Sequence, residues 1–155
     1  MTPAVQVLKK KKKPYKIHEY GHDANNSHYG LEAAEKLSVA PERVFKTLVV
    51  SLNDGHLAVA IIPVSSMLSM KNMAKCAGAK KSEMATPKDV ERSTGYVLGG
   101  VSPLGQKKRL KTIIDASAQD YQTIYVSAGR RGMDIELSPD DLCLLVNGHF
   151  ADICQ

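Results

Sequence analysis

The sequence has little aromatic character: it contains no tryptophan and two phenylalanines, and aromatic side chains make up 5% of its 155 residues. Proteins that bind single-stranded nucleic acid without sequence preference stack the bases on aromatic rings. The scarcity of aromatics therefore argues against such a stacking platform. No apolar run is long enough to cross a bilayer, and the N-terminal residues lack the basic-then-apolar order of a signal peptide. We expect a soluble, cytoplasmic protein with no membrane partner.

Cysteine is also sparse, since Cys76, Cys143 and Cys154 are scattered and form no Cys-x-x-Cys pair. An odd, scattered set favours reduced thiols over a disulfide framework. The glycine-rich stretch 99–105 matches neither a Walker A loop nor a Rossmann fingerprint. Ser102 lacks the Gly-x-Ser-x-Gly context of a hydrolase nucleophile. The motifs thus predict no protein nucleophile, no metal site and no cofactor.

What the sequence does have is positive charge, with a formal net charge of +5 and a pI of about 9.1. A basic balance of this size favours polyanionic partners. A chain of this length buries enough surface for one hydrophobic core, so we expect a single domain over residues 1–155. Basic residues cluster in three places, which together could form a surface for RNA phosphates: the lysines at 9–13, then Lys107, Lys108, Arg109 and Lys111, and then Arg130 and Arg131. For the lysines at 9–13 a solvated helix end is the alternative.

Hydrophobic periodicity and turn residues divide the chain into helices and strands. The strongest signal is a hairpin formed by runs 45–52 and 56–62 around Asn53-Asp54-Gly55. Further strands are predicted at 15–20, 110–114, 122–127, 133–137 and 149–153, and helices at 4–12, 30–37, 69–77, 86–95 and 138–148. Strands outnumber helices and several are consecutive, which predicts an α+β fold with a mixed, barrel-like β-sheet surrounded by helices.

Residues 18–22 read His-Glu-Tyr-Gly-His, which is a literal match to the zinc-peptidase motif. That motif needs a helix, because only a helix places residues i and i+4 on one face. Here a strand is predicted, and on a strand His18 and His22 would lie about 13 Å apart. A zinc hydrolase therefore remains an alternative that the local context disfavours.

Lys46 lies on the same face of its predicted strand as Leu48 and Val50. A lysine on an apolar face must extend its amino group to solvent, pair with a carboxylate or project into a cleft. Downstream, the bare backbone of Gly99, Gly100, Val101 and Ser102 could present N–H groups to an anion or a developing oxyanion. A plain structural turn is the alternative for this stretch.

Several stretches resemble the YbaK family, in the same order and over nearly the whole chain: 1–4, 45–48, 93–96, 99–109, 123–127 and 129–132. YbaK proteins are free-standing aminoacyl-tRNA deacylases related to the editing domain inserted in bacterial prolyl-tRNA synthetases. The resemblance implies hydrolysis of the ester in Cys-tRNA(Pro), and of Cys-tRNA(Cys), in association with prolyl-tRNA synthetase. Binding alone discriminates poorly between near-isosteric amino acids, so a second hydrolytic site is a common remedy.

The resemblance also implies roles for individual residues. Lys46 matches the family's key lysine and is expected to anchor the terminal adenosine or its phosphate. Residues 99–103 match the family's Gly-x-x-x-Pro loop, whose amides would hold the ester carbonyl and its oxyanion. The substrate pocket is expected to include Tyr20, Tyr29, Pro103, Gly129 and Asp134, with Asp134 facing the α-ammonium. Relatives often carry phenylalanine at position 29 and glycine at position 128.

In this family the cysteinyl thiol is thought to attack its own carbonyl, because the free thiol is already strongly nucleophilic near neutral pH. Three alternatives stay open. One is an Ala-tRNA(Pro) deacylase, the second is a non-catalytic adaptor for tRNA or the synthetase, and the third is the zinc hydrolase above.

Overall fold

The structure is a computed structural model that describes residues 1–155. Its helices are α1 (Pro3–Lys11), α2 (Tyr29–Lys36), α3 (Met70–Cys76), α4 (Pro87–Thr94) and α5 (Pro139–Val146). Its strands are β1 (Lys16–Glu19), β2 (Phe45–Leu52), β3 (Leu57–Pro63), β4 (Ser82–Met84), β5 (Lys111–Asp115), β6 (Ile124–Arg130), β7 (Met133–Leu137) and β8 (His149–Ala151). Short 3₁₀ helices lie at Pro41–Arg43 and Ala116–Asp120.

The strands form two sheets. The larger sheet has the order β4-β2-β3-β5-β8, and the smaller has the order β1-β7-β6. Strand β5 runs parallel to both β3 and β8, whereas the other pairings are antiparallel. The predicted mixed α+β fold is therefore confirmed. The term barrel-like is only loosely apt, because the two sheets do not close and are joined by a single parallel bridge between Val44 and Tyr125.

The helix starts follow from capping residues that the sequence displays. The side chains of Thr2, Ser69, Thr86 and Ser138 each accept the N–H of the residue three positions on. Proline follows the cap in α1, α4 and α5, where its missing N–H would have no partner in any case. The four predicted helix starts are confirmed within one residue.

The hairpin prediction is also confirmed. Strands β2 and β3 pair from Phe45 with Pro63 to Ser51 with Leu57, and Gly55 adopts the positive φ of 86° that its turn requires. The turn between β6 and β7 is short, because β6 continues to Arg130 through an irregularity between Ser127 and Arg130. Strand β4 was missed, since its three residues show no alternation.

The main core contains 20 buried residues and lies between the two sheets, α1 and α5. A second core of 10 buried residues packs the other face of β2 and β3 against α3. A third cluster lies under α2 and joins Ala33 and Ala34 to Val44, Val64 and Tyr125. None of the helices has both the length and the apolar character needed to cross a membrane.

Candidate active site

A cavity of about 340 Å³ opens beside the bridge that joins the two sheets. Beyond that bridge the edge of β2 lies beside β6 without pairing to it, and it finds its next partner, β4, only at Val50. The cavity occupies this gap, with α2 and the 97–101 segment as its remaining walls. The sheet is open where a closed barrel was expected, and the opening forms the candidate site.

The cavity brings together eight of the residues predicted from the sequence: Lys46, Tyr20, Tyr29, Gly99, Val101, Arg130, Arg131 and Asp134. The other predicted residues do not line it. Gly100, Ser102 and Pro103 are buried behind the loop surface, and Gly129 lies on the far side of the 129–132 hairpin against the ring of Tyr96. Lys107, Lys108 and Arg109 are exposed on a neighbouring surface.

Lys46 enters the cavity from β2, near the bridge that ends the pairing between the sheets. It is partly buried, and burial lowers the pKa of its amino group because the charged form loses hydration. The thiol of Cys154 opposes this shift weakly, and no carboxylate contributes to it. The amino group of Lys46 is therefore free to meet a substrate.

Asp134 enters from β7, the central strand of the smaller sheet, opposite Ser127 of β6. Its side chain is nearly inaccessible, with 5% of the residue exposed. Burial raises the pKa of Asp134 to about 7, and no cation or hydrogen-bond donor offsets this effect. A buried carboxylate without a partner is costly, so the site is suited to a ligand that brings a positive charge.

Tyr20 lies between the cavity and the 129–132 hairpin, where its N–H donates to the carbonyl of Gly132 at 2.9 Å. Burial, followed by the negative charge of Asp134, raises the pKa of its hydroxyl to about 12. The hydroxyl of Tyr20 consequently stays protonated throughout the physiological range and can donate a hydrogen bond.

The main-chain amides of residues 97–103, called the glycine loop below, are not equally available to a ligand. The N–H of Gly100 donates to the carbonyl of Val97 at 3.0 Å and closes the turn. The N–H of Ser102 makes no hydrogen bond, but Ser102 is fully buried and does not line the cavity. The N–H groups of Gly99 and Val101 donate no hydrogen bond within the chain, and both residues line the cavity. The set of candidate oxyanion donors therefore narrows to Gly99 and Val101.

The basic residues occupy different environments. The main-chain N–H groups of Lys107 and Lys108 donate to carbonyls of Thr94 and Ser93, which fixes this segment at the end of α4, away from the cavity. Arg130 lies at the cavity rim and pairs with Glu19 at 3.5 Å, with both side chains largely exposed. An exposed pair of this kind contributes little stability and exchanges readily with another anion.

The two histidines of the zinc-like motif have separate partners. His18 lies on β1 and pairs with Glu136 at 2.9 Å, whereas His22 pairs with Glu32 at 2.6 Å. Burial opposes ionisation of Glu32, but hydrogen bonds from His22 and Asp23 outweigh it and lower its pKa. No three potential metal-binding side chains lie close enough to form a site. The pair His22–Glu32 instead fastens the segment before α2 to that helix.

Four polar residues that line the cavity were not predicted from the sequence: Ser27, His28, Thr47 and Ser127. Thr47 lines the cavity, and its hydroxyl is the one buried side-chain polar atom that has no hydrogen-bond partner. Ser127 also lines it and accepts the N–H of Gly129 at 3.1 Å. The signal for Thr47 was its position next to Lys46, but a threonine in a strand is too common to stand out.

Comparison with known proteins identifies relatives that act in aminoacyl-tRNA editing. The aminoacyl-tRNA editing domain family matches residues 27–144. A proposed Cys-tRNA(Pro)/Cys-tRNA(Cys) deacylase, EbsC of Enterococcus faecalis, is 44% identical over 153 residues, which cover 98% of this chain and 92% of EbsC. Proline–tRNA ligase of Pelobacter propionicus is 26% identical over 102 residues, which cover 66% of this chain and 18% of the ligase.

Among solved structures, a proposed trans-editing enzyme for prolyl-tRNA synthetase has a TM-score of 0.84 at 20% sequence identity, and the match covers 100% of this chain and 99% of that one. At this identity the likeness shows a common fold. The family match and the identity to EbsC go further, because each covers most of the chain. This chain belongs to the aminoacyl-tRNA editing domain family.

Proposed function

We propose that this protein is a trans-editing hydrolase that deacylates Cys-tRNA(Pro), and also Cys-tRNA(Cys), with residues 1–155 acting as one domain. One observation carries the proposal: a single cavity combines an unpaired lysine, an unpaired buried carboxylate and two free main-chain amides. The name of EbsC supports the choice of substrate. The matched segment of proline–tRNA ligase supports a link to errors in charging tRNA(Pro).

The size of the cavity suits the end of an aminoacylated tRNA. Small-molecule sites commonly enclose about 300–1,000 Å³, and this one encloses about 340 Å³. That space would hold a small amino acid and part of the terminal ribose, leaving the rest of the acceptor strand outside. The basic residues at the rim and beyond it, which are Arg130, Lys107, Lys108 and Arg109, would then meet phosphates.

The charges of the cavity match those of the substrate. The α-ammonium of an aminoacyl ester would pair with Asp134 and favour its ionised form, since an adjacent cation lowers a carboxyl pKa. Lys46 would anchor the terminal adenosine or its phosphate from the other sheet. Tyr20, whose hydroxyl stays protonated, would shape the pocket beside Asp134.

The chemistry that this arrangement supports is attack by the substrate's own thiol. The cysteinyl sulfur, as a thiolate, adds to the ester carbonyl, and the amides of Gly99 and Val101 stabilise the resulting oxyanion. Collapse breaks the carbon–oxygen bond to the ribose. The departing oxygen gains a proton and the tRNA is released. The strained cyclic thioester left behind is then hydrolysed by water to free cysteine.

The chain's own contribution is orientation and electrostatic stabilisation, which can supply a large share of a rate enhancement without a protein nucleophile. Ser102 is not available for that role, because its hydroxyl is buried and already accepts a hydrogen bond. The hydroxyls of Ser27, Thr47 and Ser127 also line the cavity, but none of them is hydrogen-bonded to a general base, which agrees with a substrate-assisted step.

The experiment that tests the proposal uses the purified protein with Cys-tRNA(Pro) and Ala-tRNA(Pro), each with and without prolyl-tRNA synthetase. We expect cleavage of the cysteinyl ester, with the synthetase directing activity toward tRNA(Pro). Preferential cleavage of the alanyl ester would favour the Ala-tRNA(Pro) deacylase. Salt-sensitive tRNA binding without ester cleavage would favour the adaptor.

A further inference from the structure

Arg131 makes contacts that differ from those of a free phosphate-binding cation. Its guanidinium carbon lies 4.2 Å from the centre of the Tyr29 ring. Its Nη2 donates to the main-chain carbonyl of Leu98 at 3.1 Å. It thereby connects the β6–β7 hairpin to the first residue of α2 and to the glycine loop. No carboxylate pairs with it, whereas its neighbour Arg130 pairs with Glu19.

The glycine loop packs directly against the guanidinium of Arg131 and the ring of Tyr29, which stack on each other. Gly99 has a φ of +89°, and a Cβ at that position would lie 2.5 Å from Nε of Arg131 and 2.7 Å from Cε2 of Tyr29. Gly100 is also close to the hairpin, since a Cβ added at this position would lie 3.0 Å from Cα of Arg130. The loop has no room to shift toward the hairpin while Arg131 stays on the ring of Tyr29.

The opposite end of the loop is anchored independently. The hydroxyl of Tyr96 donates to the carbonyl of Leu104 at 2.6 Å, and Gln106 donates to the carbonyl of Ser102 at 3.0 Å. Between this anchor and Leu98 lie Gly99 and Val101, which line the cavity and whose amides donate no hydrogen bond. Arg131 supplies the side-chain hydrogen bond to the N-terminal end of the loop.

We propose that Arg131 is a positioning residue. Stacked on Tyr29 and bonded to Leu98, it holds the amides of Gly99 and Val101 toward the cavity so that they can meet the oxyanion of the ester. The inference rests on the proposed function for its catalytic consequence, and it revises the phosphate-binding role expected for Arg131. The planar guanidinium is needed, because it can stack on a ring and donate along its edge at the same time.

The Arg131→Lys variant tests this role, since it keeps the charge and loses the planar fork. Two substrates separate positioning from phosphate binding: Cys-tRNA(Pro), and 3′-O-cysteinyladenosine, which carries no phosphate. We expect the single-turnover rate to fall about tenfold on both substrates, with little change in KM and an unchanged dependence on salt. Arg92→Lys, at an exposed arginine of α4, is the matched control.

A rate loss confined to Cys-tRNA(Pro), together with a shallower salt dependence, would show a phosphate contact and overturn the proposal. An unchanged rate on both substrates would overturn it as well. If the wild-type protein cleaves neither substrate, the proposed function fails, and the loop itself can still be examined in the free protein.

That examination is hydrogen exchange at the N–H of Gly100, the one amide of residues 97–102 that donates a hydrogen bond, and it needs no substrate. We expect faster exchange in Arg131→Lys and Tyr29→Leu, and near wild-type exchange in Tyr29→Phe, which keeps the ring. A melting temperature close to that of the wild type shows that each variant is folded. Equal exchange in Tyr29→Leu and Tyr29→Phe would mean that the stack does not hold the loop.

Discussion

Lys46 and Asp134 line one cavity from two different sheets, Lys46 from β2 and Asp134 from β7. Burial, and not the charge of the other side chain, is the main cause of the lowered pKa of Lys46 and of the raised pKa of Asp134. The cavity therefore presents an amine and a carboxylate that do not neutralise each other, and this separation depends on the gap beside the bridge between Val44 and Tyr125. An aminoacyl ester, with an ammonium at one end and nucleotide phosphates at the other, is complementary to that arrangement.

Lys46→Ala is expected to lower deacylation of Cys-tRNA(Pro) at least 100-fold without unfolding the protein. Its amino group is partly desolvated and has no carboxylate partner, so removing it takes away no stabilising ion pair. Initial rates and a thermal melt measured on the same preparation check both parts. Retained activity would remove Lys46 from the site, and global unfolding would assign it a structural role instead.

The pH dependence of kcat/KM should report Asp134. Its carboxyl has a pKa of about 7 in the free protein, and only the ionised form pairs with the substrate ammonium. Ionisation of the substrate thiol raises the rates of the wild type and of Asp134→Asn alike, so the ratio of their kcat/KM values isolates Asp134. We expect this ratio to rise with pH up to about 7 and then to level off. A ratio that does not change with pH would mean that Asp134 does not control the rate.

The free energy of unfolding should also depend on the ionisation of Asp134, but it should fall as the carboxyl loses its proton. Its pKa is raised from 3.8 to about 7 on folding, so between these values the folded state binds more protons and stability falls as pH rises. Asp134→Asn, which cannot ionise, should be more stable than the wild type at pH 8, by at most about 4 kcal/mol. At pH 4 the difference should be small. Urea unfolding at the two pH values measures it, and a variant less stable at pH 8 would contradict the raised pKa.

Gly99→Ala is expected to lower activity strongly while the rest of the fold persists. The added Cβ would meet Arg131 and Tyr29 at 2.5 and 2.7 Å, and the positive φ of the position disfavours alanine. Gly21→Ala is the matched control, because a Cβ there meets nothing within 4 Å. Deacylation rates of the two variants make the test. Equal rates would show that the geometry at Gly99 is not needed.

Much of the local structure could be predicted because the signals are local. Caps such as Thr2 and Ser138 and the Asn53-Asp54-Gly55 turn specify their own geometry within a few residues. Strand β4 could not be predicted, since its three residues form a strand only through pairing with β2. Whether the sheet closes also depends on contacts between residues far apart in sequence, such as Val44 and Tyr125.

The candidate site, too, could be predicted only in part from the sequence. The resemblance located Lys46, Asp134 and the glycine loop, and the structure places them around one cavity. The sequence could not show that the N–H of Gly100 is occupied, that Ser102 is buried, or that Arg131 is bonded to the loop. Those facts depend on hydrogen bonds and packing that no residue pattern displays.

In the proposed mechanism the substrate's sulfur, and not a protein group or free water, cleaves the ester. Its most direct test compares Cys-tRNA(Pro) with Ser-tRNA(Pro), which is similar in bulk but carries a far weaker nucleophile, under single-turnover conditions. Rapid deacylation of the cysteinyl ester, with the seryl ester remaining at its uncatalysed rate, is the predicted result. Comparable rates on the two esters would exclude attack by the substrate thiol and indicate attack by water.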